Sequence, residues 1–295
     1  VNENCRLCGI CVKACPFQAL VIERGAKPTA NLKSYQNVLI FAEQRGGKLS
    51  GVTLELIGKG RMLASKLGQK LFVVLPGDRT EKLVSELKNY PVDAIFVYDH
   101  KELAYFRAEP YTAVLYDLIK ELKPGIILIG ATQVGRSLAP RLATRLRTGL
   151  TADCTILDVK PNGDLIQTRP AFGGNVMAQI ITPRHRPQLA TVRPKVMTPA
   201  AKEPSHPKQV FIREVKPEFL DSGISFLSIL PKPQETSITE AEVIVAVGRG
   251  LKKAEDLALI EELAKSLNGM VAVTRPLVEA GWASYTRQVG LSGRT

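Results

Sequence analysis

From residue 37 onward, short runs of apolar residues alternate with longer segments in which apolar residues recur every three or four positions. A continuous apolar run is typical of a buried strand, and the wider spacing is typical of an amphipathic helix. The predicted strands are Val38–Ala42, Leu71–Leu75, Ala94–Val97 and Ile126–Gly130, and the predicted helices are Leu54–Leu67, Glu81–Leu87, Thr112–Leu122 and Arg136–Leu146. Strands of this kind that alternate with helices favour a parallel sheet covered on both faces, so the predicted fold class is α/β.

The pattern changes after Gly149. Four short segments read as strands joined by turns, with a hairpin tip at Pro161–Asp164; they are Thr155–Val159, Leu165–Thr168, Met177–Thr182 and Ala190–Val192. The Pro- and Lys-rich stretch Thr198–Gln209 is interpreted as a connector.

A second α/β unit begins near Glu242. It contains a strand at Val243–Val247, a helix at Ala254–Leu267 and a strand at Met270–Val273. A doubly wound domain needs more strands than these, so the unit is expected to be incomplete and the sequence to be a fragment. A further short strand is predicted at Ala19–Glu23, near the start of the chain.

The overall composition narrows the class of protein. Of the 295 residues, 45% are hydrophobic and 23% are charged, which is the profile of an ordinary globular protein. No apolar run is long enough to cross a bilayer, so membrane insertion is not expected. The first fifteen residues hold four cysteines rather than a signal peptide, and a cytoplasmic protein is therefore expected.

The charge excess is large but does not choose a partner by itself. Forty Lys and Arg residues against 28 Asp and Glu residues give a net charge of +12. Nucleic acid, a phosphate-bearing ligand and an acidic protein would all fit that sign. The basic residues are spread along the chain and aromatic residues make up only 6%, which disfavours nucleic acid. A basic nucleic-acid-binding iron–sulfur protein nevertheless remains an alternative.

The cysteines carry the most specific signal. Cys5, Cys8, Cys11 and Cys15 are separated by two, two and three residues and are followed by Pro16. This is the spacing of bacterial ferredoxins, in which thiolates ligate a 4Fe–4S cluster, whereas zinc sites usually pair two cysteine couples across a longer loop. In two-cluster ferredoxins the last cysteine ligates the other cluster. No second run exists here, so Cys15 either completes the same cluster or depends on residues that this sequence lacks.

Two glycine-containing turns precede predicted helices. They are Gly130–Ser137 and Gly248–Lys253, and each places glycines and a basic residue where helix N–H groups would face outward. Neither turn matches a dinucleotide or Walker motif. From their spacing alone, anion-binding turns and ordinary structural turns are equally good interpretations.

Several motifs together resemble the alpha subunit of electron-transfer flavoproteins. They are Asn37–Glu43, Gly149–Thr155, Thr168–Gly174, Arg186–Pro194, Gly248–Lys252, Thr274–Pro276 and Val289–Thr295. The cysteine segment resembles the ferredoxin-like extension of some electron-bifurcating members, such as those attached to lactate dehydrogenase or caffeyl-CoA reductase. The family's Gly-Ile-Ser-Gly-Ala-Ile-Gln-His stretch, which also holds FAD, would follow Thr295.

The resemblance implies a heterodimer with an electron-transfer flavoprotein beta subunit. It implies FAD and a 4Fe–4S cluster as cofactors, with ferredoxin and a flavin-dependent dehydrogenase of the acyl-CoA or lactate type as partners. Electrons from NADH would be bifurcated between those two partners; a non-bifurcating electron carrier is the alternative. The implied domains are a ferredoxin-like segment at residues 1–33, an α/β domain at 34–222 and an incomplete Rossmann-like FAD domain at 223–295. The chain would catalyse no bond-making step alone.

The resemblance also implies individual cofactor contacts. Matching the family motifs gives FAD contacts at Arg249, Thr274, Arg275, Val289, Gly290, Leu291 and Ser292. Members often carry Gln-Thr at the Leu291–Ser292 position, so only the hydroxyl is retained there. Arg169 either approaches the beta subunit's flavin or pairs with a carboxylate of its own domain. Because Pro276 disfavours helix at the residue before it, Arg275 is expected in extended backbone at the end of its strand.

The cysteine spacing generates the first prediction. Purified anaerobically, the chain should contain about four iron atoms, and Cys8→Ala should lose them while retaining flavin, because the two cofactors lie in separate domains. Iron analysis and the visible spectrum measure both quantities. About eight irons per chain, or tightly bound zinc without iron, would contradict a single 4Fe–4S cluster.

Overall fold

The computed structural model describes residues 9–20, 32–228, 238, 241–290 and 293. Contacts between Cα atoms divide the chain into two compact units, Val1–Phe226 and Leu227–Thr295. Each unit is described below by itself.

The first unit is built mainly from strands and helices that alternate along the chain. In chain order its described elements are α1 (Ile10–Ala14), β1 (Val38–Phe41), β2 (Gln44–Arg45), β3 (Lys48–Leu49), α2 (Gly51–Leu67), β4 (Leu71–Gly77), α3 (Glu81–Leu87), β5 (Ala94–Asp99), α4 (Ala108–Leu122), β6 (Ile126–Gly130), α5 (Gln133–Leu146), β7 (Leu150–Cys154), β8 (Ile156–Val159), β9 (Leu165–Ala171), β10 (Val176–Ile180), β11 (Gln188–Val192) and β12 (Gln209–Ile212).

A seven-stranded sheet with the order β12-β5-β4-β1-β6-β11-β7 forms the centre of this unit. Every pair of neighbouring strands in it is parallel. Because β1 has β4 on one side and β6 on the other, the direction of winding reverses at β1. In open parallel sheets such a reversal leaves a crevice at the carboxyl ends of the strands.

Both faces of the sheet are buried, as the apolar runs predicted. Along β1, Val38 and Ile40 pack into the core beneath α2 and α3, whereas Leu39 and Phe41 pack into the core beneath α4 and α5. All four side chains are at most 1% exposed. Burying each such side chain contributes roughly 1.5–3 kcal/mol, which explains why apolar residues occupy consecutive positions of these strands. The predicted α/β class and its four first strands are confirmed.

A separate three-stranded antiparallel sheet has the order β10-β9-β8. The hairpin between β8 and β9 turns at Pro161–Asp164 as predicted: the Lys160 N–H donates to the Asp164 carbonyl at 2.9 Å, and Gly163 takes the positive φ of 84° that the turn requires. Large apolar side chains of this sheet are exposed, including Ile156, Phe172, Val176 and Met177.

A strand is present at Ala190–Val192 as predicted, but the strands predicted to neighbour it were wrong. The strand β11 is a central parallel strand of the large sheet, between β6 and β7, rather than one of a series of turn-linked strands. Its five residues are all buried, so its surroundings match those of β1. The strand β7 was not predicted, because Leu150–Cys154 mixes polar and apolar residues and its exposure alternates only partly.

The stretch Thr198–Gln209 was also misinterpreted. It lies on the first unit rather than linking two domains: the Ala200 N–H donates to the Leu54 carbonyl at 2.9 Å and the Glu203 N–H to the Asn89 carbonyl at 2.6 Å. The Lys208 ammonium donates to the carbonyls of Lys88, Tyr90, Glu203 and Pro204. Gln209 then begins the edge strand β12. The prolines and lysines of this stretch therefore belong to a surface segment that hydrogen bonds to backbone carbonyls hold in place.

Several predicted boundaries shift by a few residues. The helices α2, α4 and α5 begin three or four residues before their predicted starts at Leu54, Thr112 and Arg136, because their first turns contain polar residues or Pro110, which the first turn of a helix tolerates. The predicted strand at Ala19–Glu23 shows no strand at residues 19–20, and its remainder lies outside the described residues.

The second unit contains β13 (Ile244–Val247), α6 (Leu257–Ser266), β14 (Met270–Thr274), α7 (Arg275–Glu279) and β15 (Gln288–Val289). Its three strands form a parallel sheet with β14 in the middle. Val271, Val273, Ala264 and Leu277 are the buried residues of its core. The predicted helix Ala254–Leu267 divides into a 3-10 turn at Ala254–Asp256 followed by α6.

Candidate cofactor sites

The predicted FAD contacts of the second unit meet at one edge of its sheet. Val247 pairs with Val273, and Thr274 pairs with Val289, so the three parallel strands end side by side. Arg249, Thr274, Arg275, Val289 and Gly290 therefore follow or terminate neighbouring strands at their carboxyl ends. In open α/β sheets this edge is where ligands bind. Leu291 and Ser292 lie outside the described residues.

Two glycines shape this edge. A Cβ atom on Gly248 would lie 3.1 Å from Thr274 Oγ1, so the backbone after β13 passes close to the threonine hydroxyl. Gly290 has a φ of 105°, a conformation that residues with side chains rarely adopt. Both positions favour glycine for a geometric reason that composition alone does not show.

The turn after β13 differs from the predicted arrangement. The helix α6 begins only at Leu257, well beyond Gly250, and Glu255 and Asp256 occupy the preceding 3-10 turn. Carboxylates at that position are themselves stabilised by the positive end of the helix dipole. The Gly248–Lys253 turn is thus an exposed loop rather than the start of a helix, and the side chain of Arg249 is exposed.

Arg275 is the first residue of α7 and not part of an extended segment, so the prediction from Pro276 was wrong. Thr274 precedes the helix in extended backbone (φ −77°, ψ 158°). A proline in the first turn has no N–H to lose from the helical ladder, and so it begins the helix. Arg275 Nε donates to Glu279 Oε1 at 2.7 Å, and the two side chains are 65% and 61% exposed. A pair this exposed contributes at most about 0.5 kcal/mol.

Arg169 of β9 is half-buried on the antiparallel sheet. Its Nε donates to the Pro170 carbonyl at 3.4 Å, and within the described ranges no carboxylate oxygen lies within the 4.0 Å of an ion pair. The carboxylate pairing considered for it from the sequence is therefore not found there. The guanidinium does act on Cys154: burial raises the pKa of that thiol to about 12 even though Arg169 opposes the shift, so Cys154 is a buried thiol that stays protonated at neutral pH.

In the turn Gly130–Ser137 of the first unit, several hydrogen-bonding groups already bind other groups of the protein. It joins β6 to α5, beside the point where the winding of the sheet reverses. Thr132 Oγ1 accepts a hydrogen bond from the Gly135 N–H at 3.0 Å and donates to Glu43 Oε2 at 2.5 Å. Arg136 makes a two-pronged ion pair with Asp153, at 3.2 and 3.1 Å. These contacts support the structural interpretation of this turn over an anion site.

Close packing explains the second glycine of that turn. A Cβ on Gly135 would lie 1.8 Å from the Gly130 carbonyl oxygen, so helix and strand approach each other only because position 135 has no side chain. Burial raises the pKa of Glu43 above its ordinary value of 4.5, although the bond from Thr132 opposes the shift. Sequence reasoning assigned Glu43 no role, because a single glutamate after a strand carries no recognisable spacing.

Two of the four predicted cluster ligands are described. Cys11 lies in α1 and is exposed, and Cys15 ends that helix. Gly9 precedes α1 with a φ of 78°, a conformation that glycine adopts without strain. The backbone N–H groups of Ala19 and Phe17 lower the pKa of the Cys15 thiol, an effect that favours the thiolate. Cys5 and Cys8 lie outside the described residues.

Comparison with known proteins identifies the family. Residues 38–218 match the electron transfer flavoprotein domain, residues 237–295 the electron transfer flavoprotein FAD-binding domain and residues 1–21 the 4Fe-4S binding domain. The chain belongs to the electron-transfer flavoprotein alpha-subunit family and carries a 4Fe–4S extension. Its cofactors are FAD and a 4Fe–4S cluster, and it is an electron-transfer subunit.

Individual relatives are similar over most of the chain. The lactate dehydrogenase (NAD(+),ferredoxin) subunit LctC of Acetobacterium woodii is 45% identical over 295 residues, covering 100% of this chain and 71% of that protein. Protein FixB of Clostridium saccharobutylicum is 47% identical over 267 residues, 90% of this chain and 79% of the relative. The acryloyl-CoA reductase electron transfer subunit beta of Anaerotignum propionicum is 40% identical, with 90% and 81% covered. Within the described residues, no helix is both long and apolar enough to span a membrane.

The half-buried carboxyl group of Glu43 gives a prediction about pH. Because the folded state raises the pKa of Glu43, folding favours its protonated form, and the folded protein loses stability as the pH rises from the unfolded pKa through the folded one. Glu43→Gln keeps an acceptor for Thr132 but cannot ionise. Its stability relative to the parent protein should therefore increase as the pH rises above about 4.5 and level off once Glu43 is ionised in the folded parent protein as well.

Denaturant unfolding at several pH values measures this difference. Glu86→Gln, an exposed glutamate of α3, serves as the control and should show a much flatter difference. A stability difference for Glu43→Gln that stays constant with pH would show that Glu43 ionises as freely in the folded protein as in the unfolded one.

Proposed function

We propose that this chain is the alpha subunit of a cytoplasmic heterodimer that bifurcates electron pairs from NADH. One electron would go to ferredoxin and the other to a flavin-dependent dehydrogenase of the lactate or acyl-CoA type. The similarity to LctC, whose name includes both NAD(+) and ferredoxin, supports this proposal. Similarity to the acryloyl-CoA reductase subunit supports an acyl-CoA-type partner. A non-bifurcating electron carrier is the second candidate, and the similarity to FixB proteins is compatible with either.

The observation on which the FAD site rests is the shared carboxyl edge of β13, β14 and β15. There, Thr274 offers a hydroxyl, Arg249 and Arg275 offer cations, and Val289 and Gly290 offer backbone groups in a conformation open to close approach. This set of donors suits the hydrogen-bond acceptors and negative charges of a flavin dinucleotide. Leu291 and Ser292 are proposed to extend the same contact. Bound FAD supplies one-electron chemistry that no side chain of this chain provides.

Arg275 is proposed to turn toward the flavin when FAD binds. Its pair with Glu279 spans one helical turn and is exposed, so exchanging that partner costs little. The guanidinium stays protonated at every relevant pH, and it therefore stabilises negative charge on a neighbouring ring. Arg169, half-buried and bonded to the Pro170 carbonyl, is proposed to serve the beta subunit's flavin in the same sense.

The cluster is proposed to be ligated by Cys5, Cys8, Cys11 and Cys15. Cys11 and Cys15 lie four residues apart at α1, a spacing that places two side chains on one side of a helical turn. The proposed domains are residues 1–33 for the cluster, 34–222 for the α/β domain and 223–295 for FAD. The beta subunit would provide the NADH site.

The proposed function is tested with the purified alpha–beta heterodimer and its dehydrogenase under anaerobic conditions. Oxidation of NADH should require ferredoxin and the dehydrogenase's oxidised substrate together, and about one ferredoxin electron should appear for each electron that reaches the dehydrogenase. The Cys8→Ala variant should lose ferredoxin reduction while it keeps its FAD absorbance. NADH-dependent reduction of the dehydrogenase that is equally fast without ferredoxin would support the non-bifurcating carrier instead.

The role of Arg275 is tested by the reduction potential of bound FAD. Arg275→Ala should lower the one-electron potential by an amount on the order of 60 mV, equivalent to about a tenfold change in equilibrium constant, because a positive charge next to the reduced ring is lost. Arg275→Lys should fall between the parent and Arg275→Ala. Arg287→Ala, which removes an exposed arginine of the same unit, is the control and should leave the potential unchanged. A parent-like potential in FAD-loaded Arg275→Ala would place the guanidinium away from the flavin.

A further inference from the structure

A cavity of about 510 Å³ lies in the first unit, and none of the residues that line it is assigned to either cofactor. One wall is formed by α2, through Lys59, Arg61 and Met62, and another by the junction of β7 and β8, at Thr155 and Ile156. The segment 196–201 closes a third side. Cavities of roughly 300–1,000 Å³ with mostly apolar walls and a few polar groups are typical of small-molecule sites.

Two polar side-chain atoms of these walls lack a hydrogen-bond partner among the described residues. Arg61 Nε and Thr155 Oγ1 are both buried, and neither has a hydrogen-bond partner among the described residues. The other side of the Arg61 guanidinium is held in place, because Nη2 donates to Asp93 Oδ2 at 2.9 Å. Leaving a buried donor unpaired costs about 1–3 kcal/mol. Because neither atom is accessible to solvent, an acceptor in the cavity gains these hydrogen bonds only if the wall shifts slightly.

Lys59 adds a charge without a counter-ion. Its Nζ lies 3.9 Å from the thioether sulfur of Met62, and in the part of the chain that the structure describes no carboxylate lies within ion-pair distance of it. Burial lowers the pKa of this lysine, although Asp158 opposes the shift. Asp158 itself is paired with Lys66 at 2.7 Å. The ammonium is thus partly withdrawn from water, and among the described residues a thioether rather than a carboxylate lies within 4.0 Å of it.

Apolar side chains surround the same opening. Met62, Ile156 and Val196 are 37%, 55% and 39% exposed, respectively, and all three line the cavity. Single exposed apolar residues are ordinary, but a group of them around one cavity marks a binding surface. The one carboxylate on the lining, Glu203, has its Oε1 3.7 Å from His206 Nδ1, so its charge faces a different partner.

We propose that this cavity binds a small organic anion with an apolar tail, of the aliphatic carboxylate class. The Lys59 ammonium would be the counter-ion of the carboxylate, and Met62, Ile156 and Val196 would contact the tail. A carboxylate accepts up to four hydrogen bonds and therefore suits the Lys59 ammonium, which only donates. None of the residues that line the cavity is a proposed cofactor contact, so the proposal stands independently of the proposed electron-transfer function.

Hexanoate is the probe, titrated into the FAD-loaded full chain and followed by ligand-observed NMR. We expect saturable binding with a Kd in roughly the millimolar range, as the size of the probe allows. Hexan-1-ol and hexylammonium, which keep the tail but not the negative charge, should bind at least about tenfold more weakly. Lys59→Met should weaken hexanoate binding by at least about tenfold, whereas Lys82→Met, at an exposed lysine of α3, should bind like the parent.

A second variant keeps the proposal testable if Lys59→Met fails to fold. Ile156→Glu places a carboxylate at an exposed position of the rim and should also weaken hexanoate binding at least about tenfold through repulsion. Equal binding of hexanoate and hexan-1-ol, or parent-like binding by both Lys59→Met and Ile156→Glu, would overturn the proposal. It would also be overturned if the beta subunit abolished hexanoate binding and protected residues 196–201 from hydrogen exchange, because the surface would then be a subunit contact.

Discussion

Parallel pairing of buried strands is the constraint on which the rest of this structure depends. A parallel strand cannot turn directly into its neighbour, so each connection crosses the sheet and every strand ends at the same edge. In the second unit this rule brings residues 249, 274–275 and 289–290 together, although about forty residues of chain separate the first from the last. The site therefore depends first on the strand register and only then on its individual side chains.

The carboxyl edge of the sheet differs between the two units. In the first unit the turn after β6 is closed by Glu43, Thr132 and the Arg136–Asp153 pair, so hydrogen-bonding groups that an anion could use already have partners. In the second unit Arg249 and Arg275 at this edge are exposed, and Arg275 is paired with Glu279, an exposed residue of its own helix. The same topology thus gives a stabilised crevice in one unit and an accessible one in the other. Family membership agrees with this contrast, because the FAD-binding domain matches the second unit.

The basic residues behind the net charge of +12 also differ in whether they have a partner within the protein. Arg186 and Asp164 form an ion pair whose side chains are only 7% and 10% exposed, so that cation is committed to folding. Lys208 is committed to backbone carbonyls in the same way. Lys59 and Arg169 have no carboxylate within ion-pair distance in the described ranges, and they are partly buried. Cations of this second kind are the ones available for a ligand or a partner's cofactor.

The α/β class, the strands β1, β4, β5 and β6 and the cluster cysteines are readable from the chain alone, because apolar runs and cysteine spacing are local signals. The family and its FAD are readable from seven motifs that resemble the alpha subunit. Four other features emerged only from the three-dimensional contacts: Ala190–Val192 is a central strand, Thr198–Gln209 packs on the first unit, Arg275 begins a helix and Glu43 meets Thr132. Each of these depends on residues distant in sequence or on a competition between neighbouring hydrogen bonds. Such long-range choices leave no periodic pattern in the chain, since a side chain's partner is fixed by the fold and not by its spacing.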